Sequence, residues 1–270
     1  MAFIQAVFFD VGETIVDETR EYGTWADWLG VPPHTFSAVL GAVIARGGDY
    51  RETFQYFRPG FDLAVERERR AAVGQPEAFA EENVYPDARP CLAALREQGL
   101  RVGLAGEPDR PSGNDPAVAG LSGRFDRYLG CWGVEKPTAG FFDRVVVEAG
   151  CPAGAVLYVG DRLDNDIRPA QAAGMATALI RRGPWGYILH DPDIADRCLF
   201  RLQSLTELPD LVAKHNTDER QLASATRRDP GVPRGPVHQG NGATARDVRD
   251  LLHHAARGAP REGLFPALPA

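Results

Sequence analysis

Three short stretches of this 270-residue chain hold side chains able to do chemistry. In "FFDVGET" an acid, Asp10, directly follows an apolar run. In "GVEKP" Lys136 precedes a proline, and "YVGDRLDND" carries Asp161, Asp164, Asn165 and Asp166 at the end of a second apolar run. Hard oxygen ligands at this density suit a divalent cation such as magnesium. Helix capping accounts for one of these acids, not for three within six residues. Lys136 stands out because the chain uses arginine almost everywhere; its only other lysine is Lys214. A compact ammonium fits between a carboxylate and a phosphate where a planar guanidinium does not. Lys214, in a helical pattern near the end of the folded region, reads as a solvated side chain.

The elements that position these groups follow from the hydrophobic pattern. Residues 4 to 10 form a short apolar run of the kind a buried parallel strand shows. From about residue 16 to 84, "TWADWLG", "HTFSAVLGAVIARG", "YRETFQYF" and "FDLAVERERRAAVG" carry apolar residues at helical spacing between Gly and Pro breaks, predicting an inserted helical unit. From Tyr85 helix and strand alternate: "DARPCLAALREQG" then "LRVGLAG", "AGFFDRVVVEAG" then "AVLYVGD", "DIRPAQAAG" then "MATALIR", closed by "CLFRLQSLTELPDLVAKH". Such alternation implies an α/β protein with a parallel sheet and helices on both faces. Ligands of such sheets sit at the carboxyl ends of the strands, where Asp10 and Asp161 both fall. Beyond about residue 215 the chain turns rich in Gly, Pro and polar residues and reads as a flexible tail. One short helix is possible there in "TARDVRDLLHHAARG", with Thr244 as its N-cap.

Bulk properties narrow the partners. A formal charge of -7 argues against a general nucleic-acid-binding face. No run approaches the 18 apolar residues of a membrane span, and the N-terminus reads as a first strand rather than a signal peptide. Cys91, Cys131, Cys151 and Cys198 are scattered without metal-ligand spacing, which predicts neither a zinc site nor a disulfide framework and suits the cytoplasm. The expected partner is a small molecule, and nothing in the sequence sets an oligomeric state.

Taken in order, the three motifs resemble the haloacid dehalogenase-like (HAD) hydrolase superfamily, in particular members with a helical cap between the first and second motifs. The resemblance runs over roughly residues 4 to 215 and includes "YPDARPCLAALREQGLRVGLAG" and "KPTAGFFDRVVVEAG". It implies a Rossmann-like α/β core at 1–15 and 85–215, an α-helical cap at 16–84, and a low-complexity tail at 216–270. It further implies a magnesium-dependent phosphatase of small phosphorylated metabolites. Asp10 is then the nucleophile that forms an aspartyl-phosphate, dividing one hard displacement into two easier ones. Lys136 and Mg2+ bring phosphate and carboxylate together. Asp10, the backbone carbonyl of Gly12 and Asp161 are the implied metal ligands, with Asp166 and Asn165 completing the surroundings of the ion. Thr14, Gly106 and Asn165 are implied to line the substrate.

Two positions depart from the pattern. Gly12 stands where the resemblance expects an acid that protonates the leaving alcohol and later activates water, help worth about 10²- to 10⁴-fold in rate. Glu13, Asp17 and Glu18 are the nearby carboxylates that could replace it. In "LAGEP", Gly106 stands where a phosphate-binding Ser or Thr is expected; glycine leaves a free backbone N–H to donate. Glu107 is expected to point to solvent, and Ser112 could reach in from "EPDRPSGND". Two alternatives stay open: dehalogenation of a 2-halo acid, which also suits Gly12 but leaves the metal-type acids unexplained, and a catalytically weakened binding protein. Phosphonate cleavage needs an imine-forming lysine in the cap, and residues 16–84 contain none. Tyr22, Trp25, Trp28, Phe36, Tyr50, Phe54, Tyr56 and Phe57 are expected to form mostly the cap's own core. Arg51, Arg58 and Arg162 are candidate anion binders that the sequence does not rank.

Overall fold

Central strand β1 (Ala6–Phe9) is buried at all four positions. It leads into four helices, α1 (Thr19–Leu29), α2 (Pro33–Ala45), α3 (Glu52–Phe57) and α4 (Leu63–Ala72). There follow α5 (Ala88–Glu97), β2 (Arg101–Leu104), β3 (Arg127–Tyr128), α6 (Ala139–Ala149), β4 (Val156–Gly160) and α7 (Arg168–Ala172). The chain ends its regular structure with β5 (Ala176–Ile180), α8 (Gly183–Ile188), α9 (Pro192–Ala195), β6 (Phe200–Leu202) and α10 (Leu208–Arg227). This is a computed structural model, and it describes residues 2–106, 121, 125, 127–128 and 135–227.

The six strands pair in the order β3-β2-β1-β4-β5-β6, every pairing parallel. This is the expected Rossmann-like α/β core. Strand order reverses between β1 and β4, the crevice at which ligands bind in open parallel sheets. Alternation along β1 explains why its apolar run is unbroken. Val7 and Phe9 face a layer containing Ala88, Leu92 and Leu95 of α5 and Leu208 and Val212 of α10. Ala6 and Phe8 face the opposite layer, with Phe141, Phe142 and Val145 of α6. Each fully buried phenylalanine of this strand contributes about 1.5–3 kcal/mol.

The helices between β1 and α5 have a core of their own. α1 stops where Gly30 turns left-handed and its N–H bonds the carbonyls of Ala26 and Asp27. The Trp25 ring meets Phe54 edge-on at 5.3 Å, and Phe54 stacks on Phe61 at 4.8 Å. Of the aromatics named from sequence, Tyr22, Trp25, Phe36 and Phe54 are buried in this cluster, and Trp28, Tyr50 and Phe57 pack at its edge. Tyr56 is 58% exposed. A charge is built in as well: buried Arg70 pairs with Glu21 at 3.1 Å, donates to Thr24 Oγ1 at 2.8 Å and lies 4.1 Å from the Trp25 ring centre. Trp185 of α8 completes the cluster from the far end of the sequence.

Entry to and exit from this unit lie side by side, since Val16 and Val84 form an antiparallel bridge. One boundary moves: α10 is helical through Arg227, so the expected tail from 216 begins no earlier than residue 228. A 20-residue helix continuing past the apolar positions Leu208 and Val212 is carried by the buried face of its first half. The expected short helix around Thr244 lies outside the described residues.

Candidate active site

Asp10 is set by the sheet itself. Its N–H donates to the Val159 carbonyl at 2.8 Å, and the next strand continues the ladder through Ala105 N–H to the Phe9 carbonyl at 2.7 Å. The carboxyl ends of β2, β1 and β4 therefore lie adjacent, presenting Gly106, Asp10 and Asp161 along one edge. After Asp161 the chain winds through a single wide helical turn, Leu163–Ile167, which carries Asp166 back over the strand end. There Asp166 Oδ2 accepts the Arg162 N–H at 3.2 Å. Gly160 permits this return: a Cβ at that position would stand 2.6 Å from Asp166 Cβ, Cγ and Oδ2.

Lys136, just ahead of α6, is buried with its side chain 1% exposed. Its ammonium donates to Asp10 Oδ1 and, at 2.9 Å, to Asp166 Oδ1. The Phe141 and Tyr158 rings flank it at 5.7 and 5.9 Å. A cation thus ties two carboxylates delivered by different strands, in a wall of aromatic surface.

Asp161 completes an acidic cluster. Asp10, Asp161 and Asp166 each bring an oxygen within 4.8 Å of the others, and all three residues are buried. Asp161 Oδ2 is buried with no hydrogen-bond partner among the described residues. Such an atom is costly in an apolar site unless a ligand satisfies it. Burial first, then the charges of Asp166, Asp10 and Glu13, push the Asp161 carboxyl well above the usual carboxylate range. Burial pushes Asp166 up to about 7, with Lys136 pulling it back. A divalent cation among hard oxygens would relieve both penalties, so the donor set and the orphaned oxygen fit one.

The remaining sequence-named residues divide. Asn165 is buried in the turn beside Asp166. Thr14 is fully buried, with its hydroxyl unpartnered among the described residues and its carbonyl accepting from Arg182 at 3.0 Å. Gly12 bridges to Val16 in the loop after β1. Of the three arginines, Arg51 pairs with Asp49 and Arg58 with Glu66 within the helical unit. Arg162 alone sits in the acidic loop, paired with Asp164 at 2.8 Å and stacked 4.7 Å from the Trp185 ring centre. Glu107 and Ser112 lie outside the described residues.

Sequence reading missed a supporting network. Glu13 Oε2 accepts the Tyr85 hydroxyl at 2.7 Å, and Arg182 lies 4.0 Å from the Tyr85 ring centre. Arg182 in turn reaches Asp87 at 2.5 Å, which also accepts from Ser204 Oγ at 2.7 Å and Leu205 N–H at 3.0 Å. Burial, followed by the nearby Glu18 charge, pushes Glu13 up to about 7. No local pattern marks these partners; Arg182 follows β5 as an ordinary arginine in "IRRGPW".

A parallel sheet with a carboxylate, a lysine and further acids converging at its switch point defines a Rossmann-like α/β protein with a polar site at the carboxyl ends of its strands. The chain belongs to the haloacid dehalogenase-like hydrolase family, whose sequence model matches residues 4–174. Among curated relatives, the glyceraldehyde 3-phosphate phosphatase of Methanopyrus kandleri is 34% identical over 139 residues, covering 50% of this chain and 58% of that protein. The match thus spans little more than half of that relative. The phosphoserine phosphatase of Thermus thermophilus is 32% identical over 192 residues, covering 67% of this chain and 71% of that protein. In three dimensions the HAD-hydrolase YfnB of Bacillus subtilis superposes with a TM-score of 0.57 at 18% identity, covering 78% of this chain and 99% of that one. The last comparison shows a shared fold.

Proposed function

We propose that the chain is a phosphatase of small phosphorylated metabolites that forms an aspartyl-phosphate on Asp10 and works with magnesium. The observation that carries this reading is the ammonium of Lys136 bridging Asp10 and Asp166 beside an Asp161 oxygen that has no partner among the described residues. The names of the two curated relatives, both phosphatases of small phosphate esters, support it. Asp10 attacks phosphorus in line with the leaving oxygen; Lys136 holds the nucleophile and draws the phosphoryl oxygens to it. Asp166 fixes Lys136, and the backbone N–H groups near Gly106 and the Thr14 and Asn165 side chains orient the ester. Asp10, the Gly12 carbonyl, Asp161 and Asp166 would hold the ion, which supplies charge neutralisation for the approach of two anions. Residues 16–84 act as a cap that selects the substrate over a core of 1–15 and 85–215, and the protein works in the cytoplasm.

Hydrolysis of a panel of phosphorylated metabolites, with and without magnesium, tests the reading. Metal-dependent turnover abolished by Asp10→Asn is expected. Absence of turnover across the panel, or turnover indifferent to Asp10→Asn, refutes it. Dehalogenation of a 2-halo acid is a second reading, favoured by the missing side chain at Gly12; release of halide from 2-chloropropionate without added metal would establish it instead.

A further inference from the structure

A phosphatase working through Asp10 needs a proton donor for the leaving alkoxide and then a base for water, yet position 12 offers no side chain. The fold fills that space from elsewhere. A Cβ built on Gly12 would stand 2.4 Å from Glu18 Oε1 and 3.0 Å from Glu18 Cδ, so the Glu18 carboxyl occupies the volume a side chain at position 12 would take. Gly12 lies two positions beyond Asp10, at most about 7 Å along the chain. Glu18 is buried, 5% exposed.

Local geometry brings it there. Val16 N–H and Ile15 N–H both bond the Val11 carbonyl at 2.9 Å, folding the loop back on itself. Asp17 N–H bonds the Asn83 carbonyl at 2.8 Å and Tyr85 N–H the Ile15 carbonyl at 2.9 Å, clamping the loop from the far side of the helical unit. The two other nearby carboxylates have different employment. Asp17 Oδ1 accepts the Thr19 N–H at 2.8 Å at the start of α1. Glu13 is bonded to Tyr85 and wedged against Gly183, whose own Cβ would stand 2.6 Å from Glu13 Cβ.

Building on the phosphatase reading, we infer that Glu18 is the proton-transfer group of this enzyme, supplied by the segment entering the helical unit in place of the absent side chain at Gly12. In the first step an Asp10 oxygen bonds to phosphorus, the ester P–O bond breaks, and the leaving oxygen takes the proton of the Glu18 carboxyl. In the second, Glu18 takes a proton from water as the water oxygen bonds to phosphorus. The bond from phosphorus to Asp10 then breaks, inorganic phosphate leaves, and Glu18 is again protonated.

The test compares wild type, Glu18→Gln, Glu18→Ala, Gly12→Asp and the double variant Gly12→Asp/Glu18→Ala, using an alkyl phosphate monoester and p-nitrophenyl phosphate. Glu18→Gln should lower alkyl-ester turnover about 10²- to 10⁴-fold. With the aryl ester, whose leaving group needs no proton, it should release one equivalent of nitrophenolate in a burst followed by a slow steady state. A purely structural role would give no such burst. Gly12→Asp alone should melt below wild type, because its Cβ collides with Glu18, while the double variant regains both melting temperature and at least a tenfold turnover advantage over Glu18→Ala. The inference is overturned if Glu18→Gln keeps alkyl-ester turnover within threefold of wild type, or if the double variant is no faster than Glu18→Ala. Those results alongside an inactive Asp10→Asn would overturn the role of Glu18 alone. A wild type without phosphomonoesterase activity would overturn the phosphatase reading and this role together.

Discussion

Replacing Lys136 by methionine gives the sharpest measure of how the site is held. The substitution keeps the length and apolar stem but deletes the charge that faces Asp10 and Asp166. The Lys136 side chain is 1% exposed, and those of Asp10 and Asp166 are 11% and 0% exposed, so little water can take its place. Removing one partner of a buried ion pair costs about 3–5 kcal/mol, because the remaining charge stays buried without compensation. That is a large part of the ~5–15 kcal/mol by which domains are stable. Urea denaturation in chelator, followed by far-ultraviolet circular dichroism, measures it. With a slope near 2 kcal/mol/M, a loss of about 4 kcal/mol lowers the midpoint by roughly 2 M. Lys136→Arg should also lose stability, since the planar guanidinium cannot occupy the position of an ammonium between two carboxylates. A midpoint for Lys136→Met within 0.3 M of wild type would show that the lysine does not compensate these buried acids, and the account of the site would fail.

Gly160→Ala should destabilise by about 1–3 kcal/mol and cut activity, because its methyl group collides with fully buried Asp166; unchanged melting and turnover would contradict the close approach. Magnesium at a hundredfold excess over its Kd should stabilise wild type by about 2.7 kcal/mol in a thermal shift. Asp161→Asn should abolish that shift and melt higher than wild type in chelator, because it removes a buried carboxylate facing Asp166, Asp10 and Glu13. An undiminished magnesium shift in this variant would remove Asp161 from the metal site. Burial tends to raise the Asp87 pKa, but hydrogen bonds from Arg182, Ser204 and Leu205 outweigh it and hold Asp87 below its ordinary 3.8. A depressed carboxylate contributes stability above its unfolded pKa and loses it as pH falls through the folded one. Asp87→Asn should therefore melt lower than wild type at pH 7 and fall less steeply below about pH 4; parallel melting curves from pH 7 to pH 3 would exclude that role.

The chemical groups were legible in sequence because each is announced locally. An acid after a buried strand, a rare lysine before a proline, and clustered acids at a second strand end are all short-range patterns. Periodicity likewise separates the helical unit from the alternating core, since burial on both faces makes β1 unbroken in apolar residues while the helices keep a stripe. Other features are long-range and leave no such mark. The pairing of Lys136 with Asp166 rests on the tight turn after Asp161 and on Gly160 yielding space. The link from Glu13 through Tyr85 and Arg182 to Asp87 is made of contacts between residues as much as 97 positions apart (Tyr85 and Arg182). Trp185 joins the helical core from beyond β5, which no reading of residues 16–84 by themselves could supply.

Sequence alone determined that carboxylates, Asp10 and Asp161, stand at the ends of parallel strands and that a rare lysine precedes a helix, because residue chemistry and strand periodicity are local properties. It also determined that position 12 is a glycine. Only the tertiary structure decided what occupies the space beside that glycine. The loop after β1 is closed by backbone hydrogen bonds to residues 83–85, and that closure, made across the whole helical insertion, turns Glu18 back onto Gly12.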